Sequence, residues 1–108
     1  MELKSLKHDE MWKSDLIRKR NYACEWCKIR PATDLHHALI PRMKGHPELN
    51  CEENYACVCS FCHTGEELLD TQDAKLYFWG VLCNIYGRSH MLDWIKSLSL
   101  KVKPAMYR

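Results

Sequence analysis

Apolar residues recur at helical spacing towards both ends of the chain and lose that spacing in the middle. Met11, Trp12, Leu16 and Ile17 fall on one side of a helix that Asp9 can cap, and Arg18, Lys19 and Arg20 follow as a basic run. From Asn21 to Cys62 no helical period persists, and Pro31, Pro41, Gly45 and Pro47 divide the segment into short pieces joined by loops. Residues 34–40 and the stretch after Asn50 read as two short strands. Helical spacing returns at about Cys62, with Leu69, Leu76, Trp79, Cys83 and Tyr86 recurring at threes, fours and sevens. Gly87 predicts a stop. Ser89 predicts the cap of a last helix that carries Met91, Trp94, Ile95 and Leu98 on one stripe, before Pro104 ends regular structure. Phe78, Trp79 and Trp94 are expected in the core, since helical spacing alone accounts for them. The expected fold class is α+β: an N-terminal helix (1–20), a Cys- and His-rich centre (21–65) and a helical C-terminal part (66–108), without internal repeat or linker.

A chain of 108 residues, 46% apolar and 28% charged, has room for one folded domain and excludes a large multidomain enzyme. Its net charge of +2 hides a strong segregation. Residues 18–44 carry seven basic and two acidic side chains, residues 45–74 seven acids and no Lys or Arg, and residues 75–108 six basic and one acidic. Basic blocks of this kind can meet a polyanion while the overall charge stays modest.

Seven Cys in so short a chain imply either disulfides or metal. Glu2, Lys4, Lys7, His8, Asp9 and Glu10 crowd the first ten residues, so no secretory leader and no membrane span is expected, and the thiols are expected reduced. Cys24-Glu25-Trp26-Cys27 and Cys59-Ser60-Phe61-Cys62 form two C-x2-C pairs separated by 31 residues. Each pair can present two thiolates to one tetrahedral ion, and zinc suits four such ligands. A zinc ion held by Cys24, Cys27, Cys59 and Cys62 would clamp two distant loops and substitute for core in a small domain. Cys51, Cys57 and Cys83 are read as small buried apolar residues or free thiols.

The histidines stand beside these pairs: His36 and His37 follow the first, and His63 closes the second directly after Cys62. Drawing the pairs together would also draw the histidines together, with Asn54 nine residues before His63. In a strand His36 and His37 point to opposite faces, which implies two different jobs. This order of C-x2-C, His-His, Asn and C-x2-C-His over residues 24–63 resembles the zinc-bearing HNH endonucleases, and the Tyr86-Gly87 and 93–98 segments resemble the helical tail of phage-encoded members. The pattern departs from the family in two places. Pro41 follows His37 by four residues rather than three, and Tyr55 replaces the usual Leu after the Asn.

The resemblance implies a single HNH nuclease domain: a small zinc-stabilised ββα-metal core with flanking α-helices. It implies that His36 and His63 hold a catalytic divalent ion (magnesium, manganese or nickel), that His37 is the general base, and that Asn54 braces the loop. An imidazole can take a proton from water near neutral pH, and two His ligands leave an ion open positions for phosphate oxygen and water. The implied substrate is double-stranded DNA, nicked or cut to leave 5′-phosphate and 3′-hydroxyl ends. Arg18, Lys19, Arg20, Lys28, Arg30, Arg42 and Lys44 are the expected phosphate contacts, with Arg42 nearest the scissile phosphate. The competing reading is a zinc-stabilised nucleic-acid-binding or adaptor subunit of a larger phage complex, without cleavage of its own. The expected location is the cytoplasm of a bacterial host or phage-infected cell. Homodimerisation, if a double cut needs it, is expected through the apolar helices 75–86 and 90–98.

Overall fold

The computed structural model describes residues 12–65, 69–99 and 101–102. It is a small mixed α and β structure. Residues 12–19 form helix α1, followed by strand β1 (Asp34–His37), strand β2 (Tyr55–Val58) and helices α2 (Ser60–Thr64), α3 (Gln72–Tyr86) and α4 (Arg88–Ser97). Single 3-10 turns at Pro47–Leu49 and Glu52–Asn54 precede β2. The cap expected at Asp9 and the stop expected at Pro104 lie outside the described residues. Among the described residues no helix is long and apolar enough to cross a membrane.

The two strands pair into one sheet. Thr33 N donates to Val58 O (2.9 Å) and Ala38 N to Asn54 O (2.8 Å), so the numbers on the two strands run in opposite senses and the pair is antiparallel. The chain divides into two compact units, residues 1–36 with 57–66 and residues 37–56 with 67–108. Each strand therefore begins in one unit and ends in the other.

In the first unit α1 buries Leu16 and Ile17 of the four apolar residues expected on its inner side, with Trp12 half-buried and Met11 outside the described residues. The helix closes through Asn21 and Tyr22, whose φ values of 67° and 65° are left-handed, and Tyr22 N donates to Ile17 O at 2.9 Å. A narrow hairpin follows: Ala23 bridges Pro31, Ala32 N donates to Tyr22 O, and Cys24 N donates to Arg30 O at 2.9 Å. Its tip is the first C-x2-C pair. Cys24, Ala32, Cys57, Val58 and Cys59 complete the buried apolar set of this unit among the described residues.

In the second unit, helix α3 starts at Thr71, whose hydroxyl accepts from Ala74 N at 3.1 Å, and not at Cys62. The helical spacing after Cys62 is split, because α2 stops at Thr64 and Leu69 is buried ahead of α3. The inner face of α3 is Ala74, Phe78 and Leu82. Trp79, Cys83 and Tyr86 are half-buried beside it, and Leu76 is exposed. Two apolar stripes about 100° apart compete on this helix, and the one centred on Phe78 faces inward. Gly87 ends α3 by donating its N–H to Cys83 O (2.9 Å), and its own carbonyl accepts from Met91 N (3.1 Å) to begin α4. Its φ of 96° is one that only glycine adopts freely, so the junction is set there and Ser89 lies inside α4. Met91 and Ile95 on α4, with Leu98 directly after it, form the buried stripe of this helix, which packs on α3, and Trp94 is half-buried.

Candidate metal centre and histidine sites

Both C-x2-C pairs fold into the same local turn. Cys27 N points at Cys24 Sγ and Cys62 N at Cys59 Sγ, each at 3.4 Å, so the chain supplies an N–H to the first sulfur of each pair. In the first pair the turn is tightened by Lys28, left-handed at φ 60°, whose N–H donates to Cys24 O. In the second, Cys59 is extended and caps α2, which places Cys62 one turn later on the same side.

The sulfurs of Cys24, Cys27, Cys59 and Cys62 all lie within 4.8 Å of one another. Zinc–sulfur bonds of about 2.3 Å set the edges of a regular tetrahedron near 3.8 Å, and Cys27 Sγ lies 3.9 Å from Cys59 Sγ. The donor set and spacing thus fit a structural metal such as zinc. Among the described residues, this is the one group of three or more Cys, His or acidic ligand atoms drawn so close. Electrostatics fits as well. Cys27 is pulled down to about 6, first by the backbone N–H of Arg30 and then by that of Ile29. Cys62 is pushed up to about 12, first by desolvation and then by its bonds to the neighbouring cysteines. Thiolates this close oppose one another's ionisation, which a divalent cation relieves. Cys57 is fully buried and outside the cluster, its thiol pushed up to about 12 by burial and by Glu25.

The first unit also carries a buried ion pair that ties its parts together. Glu25, inside the first C-x2-C, accepts from Arg20 Nη1 at 3.1 Å and from Cys57 N at 2.8 Å. Its own N–H donates to Cys57 O. Burial raises the Glu25 carboxyl above its usual range, and the Arg20 guanidinium opposes that rise. Arg20 therefore faces inward, whereas Arg18, Lys19, Lys28 and Arg30 are exposed. Arg18 pairs with Asp15, and the Arg30 guanidinium lies 4.4 Å from the centre of the Phe61 ring.

Beside the cysteine cluster stand two imidazoles. His36, on β1, is buried to 7% exposure, and its Nε2 atom is sealed from solvent. His63, on α2, meets it edge to face with ring centres 5.7 Å apart. Asp34 Oδ2 accepts from His63 Nδ1 at 3.0 Å. That bond fixes the proton on Nδ1 and leaves the Nε2 lone pair of His63 for a ligand.

In the second unit His37 is half-buried, with its ring 4.8 Å from that of Tyr55. His37 Nε2 donates to Asn50 Oδ1 at 2.8 Å, which leaves the lone pair on Nδ1. Asn54 is fully buried and uses its whole amide. Its Oδ1 accepts from Leu39 N (3.1 Å) and Ile40 N (3.0 Å), while Nδ2 donates to Ile40 O (2.9 Å) and Leu49 O (3.0 Å). The side chain thereby pins the two ends of the loop 39–49. Arg42 and Lys44 are exposed on that loop. Two further imidazoles hold acids, His46 with Glu48 at 2.9 Å and His90 with Glu53 at 2.8 Å.

Sequence reasoning missed three partners. Asp34 could have been found, since a residue two before His36 in a strand shares its face. The Arg20–Glu25 pair carried only a faint signal, an acid inside a metal turn and a base five residues earlier. Asn50 carried none, lying 13 residues from His37 in a segment without periodicity. No protein-family model, no curated protein and no solved structure matches the chain.

Proposed function

We propose that this chain is a metal-dependent endonuclease of the HNH kind, with a ββα-metal core and His37 as the general base. The observation that carries the reading is the pairing of two imidazoles, His36 and His63, next to the four-cysteine cluster, with Asp34 orienting one of them.

In this reading the cysteines hold zinc and set the positions of β1 and α2. His36 and His63 would hold a divalent ion, which would supply stabilisation of negative charge on the phosphate and on the departing oxygen. Asp34 keeps the His63 proton on Nδ1 and so presents Nε2. His37, with Nε2 committed to Asn50, takes the proton of the attacking water on Nδ1. Asn54 holds the loop that bears Arg42 and Lys44, and these cations meet the DNA backbone together with Arg18, Lys19, Lys28 and Arg30. Arg20, turned in on Glu25, serves the fold instead.

The test is cleavage of supercoiled plasmid with added magnesium, manganese or nickel, wild type beside His37→Ala at equal folded concentration. The wild type is expected to relax or linearise plasmid, and the variant to do so at least 100-fold more slowly, since a positioned base contributes about 10²–10⁴-fold. Equal rates would remove His37 as base. No cutting by either protein would favour the binding or adaptor reading.

A further inference from the structure

The tip of the first metal turn carries an aliphatic side chain that the fold does not use. Ile29 is 84% exposed, although the turn that bears it is held at Cys24 by two backbone hydrogen bonds, Lys28 N to Cys24 O and Cys24 N to Arg30 O. Next to it Arg30 lies over Phe61, which is itself 68% exposed on α2. Lys28, also exposed, precedes Ile29. Both segments belong to the first unit, and each is anchored by its own cysteines. A guanidinium plane and an aromatic ring, in contact with each other, are thus carried on the two segments that bear the four cysteines and are turned to solvent.

Such a surface has a chemical complement. Guanidinium and phenyl planes stack on nucleobases, and the cations reach the phosphates of the same strand. In a duplex the base faces are covered by their neighbours, so a stacking surface finds a partner there only where pairing is broken. Lys and Arg alone would serve duplex phosphates without the exposed ring.

We propose that Arg30 and Phe61 form a stacking platform for unpaired bases, so that this surface binds single-stranded DNA in preference to duplex. The proposal rests on the nuclease reading for its choice of DNA and adds to it a separate contact for locally unpaired strand beside the duplex that is cut. Binding is read without added divalent ion, so cleavage and stacking can fail independently.

The experiment is fluorescence anisotropy of the full chain with a labelled single-stranded oligonucleotide and the duplex of the same sequence. Bound zinc and melting temperature are recorded for each variant. The wild type is expected to bind the single strand at least 10-fold more tightly. Phe61→Leu, which keeps bulk but loses the ring, and Arg30→Lys, which keeps charge but loses the plane, are each expected to weaken single-strand binding by about 5- to 150-fold. Duplex binding should change little in both. Equal affinity of the wild type for the two forms would overturn the proposal, as would an Arg30→Lys variant that binds the single strand like the wild type. If Phe61→Leu loses zinc, the exposed Arg30→Lys substitution decides alone.

Discussion

Asp34, the first residue of β1, accepts the Nδ1 proton of His63, the fourth residue of α2, at 3.0 Å. A carboxylate in that place sets which nitrogen of an imidazole is available, and partners of this kind are worth about 10- to 100-fold in metal affinity. In the nuclease reading, Asp34→Ala is therefore expected to weaken manganese or nickel binding at His36 and His63 by that factor, with metal on the cysteines retained. Titration calorimetry with zinc quantified alongside checks it, and equal affinities would take Asp34 out of the site.

The cysteine cluster should matter to the fold more than to the chemistry. Structural zinc contributes about 10–16 kcal/mol in small peptide sites, against a total stability of about 5–15 kcal/mol for a small domain. Cys59→Ser, which removes a ligand and the cap of α2, is expected to abolish the cooperative melting transition. A mild chelator that leaves the thiolates loaded should stop cleavage with the circular dichroism spectrum intact. A Cys59→Ser protein melting like the wild type would refute the structural role.

Removing Arg20 withdraws the countercharge from the buried Glu25 carboxyl. Breaking a buried pair from one side costs about 3–5 kcal/mol, whereas replacing both partners by apolar residues of similar size often costs little. Arg20→Ala should thus destabilise strongly in denaturant titration, and Arg20→Met with Glu25→Leu should regain part of the loss. If Arg20 acted mainly on DNA, stability would stay near wild type while affinity fell.

Cys51 supplies a pH dependence. Burial, with Glu53 next, pushes its thiol from 9.0 up to about 12. Between those values the folded chain keeps a proton that the unfolded chain has released, so stability falls as pH rises, by up to about 1.4 kcal/mol per pH unit. Melting temperatures from pH 8 to pH 11 should decline more steeply for wild type than for Cys51→Ala. Parallel curves would show that the thiol is not shielded.

The parts of the fold that rest on local chemistry were legible in the chain. The cysteine pairs needed only spacing, and the stripe of Met91, Ile95 and Leu98 needed only period. What escaped depended on competition between equals. On α3 the set led by Leu76 and Trp79 and the set led by Phe78 are both apolar, and only packing chooses. Gly87 serves two helices at once, so the cap expected at Ser89 was displaced by a glycine whose left-handed φ made the junction earlier. Arg20 sat in a basic run that reads as surface, and its inward turn depends on an acid placed across from it by the metal turn. The roles of His37 and Asn54 were read from a resemblance, whereas their contacts with Asn50, Leu39 and Ile40 join residues too far apart in sequence for any period to show.

The position of the cysteine cluster along the chain has a topological consequence. Its two halves flank the 31 residues between Cys27 and Cys59, so a bound ion would close that segment, with both His36–His37 and Asn54, into a ring. The exposed stretch 41–45 lies on the ring's perimeter. A single proteolytic nick there would open the ring without releasing either piece, because each fragment keeps two thiolates on the same ion. The polypeptide would then behave as two chains joined by coordination bonds, inseparable in zinc and parted by a strong chelator.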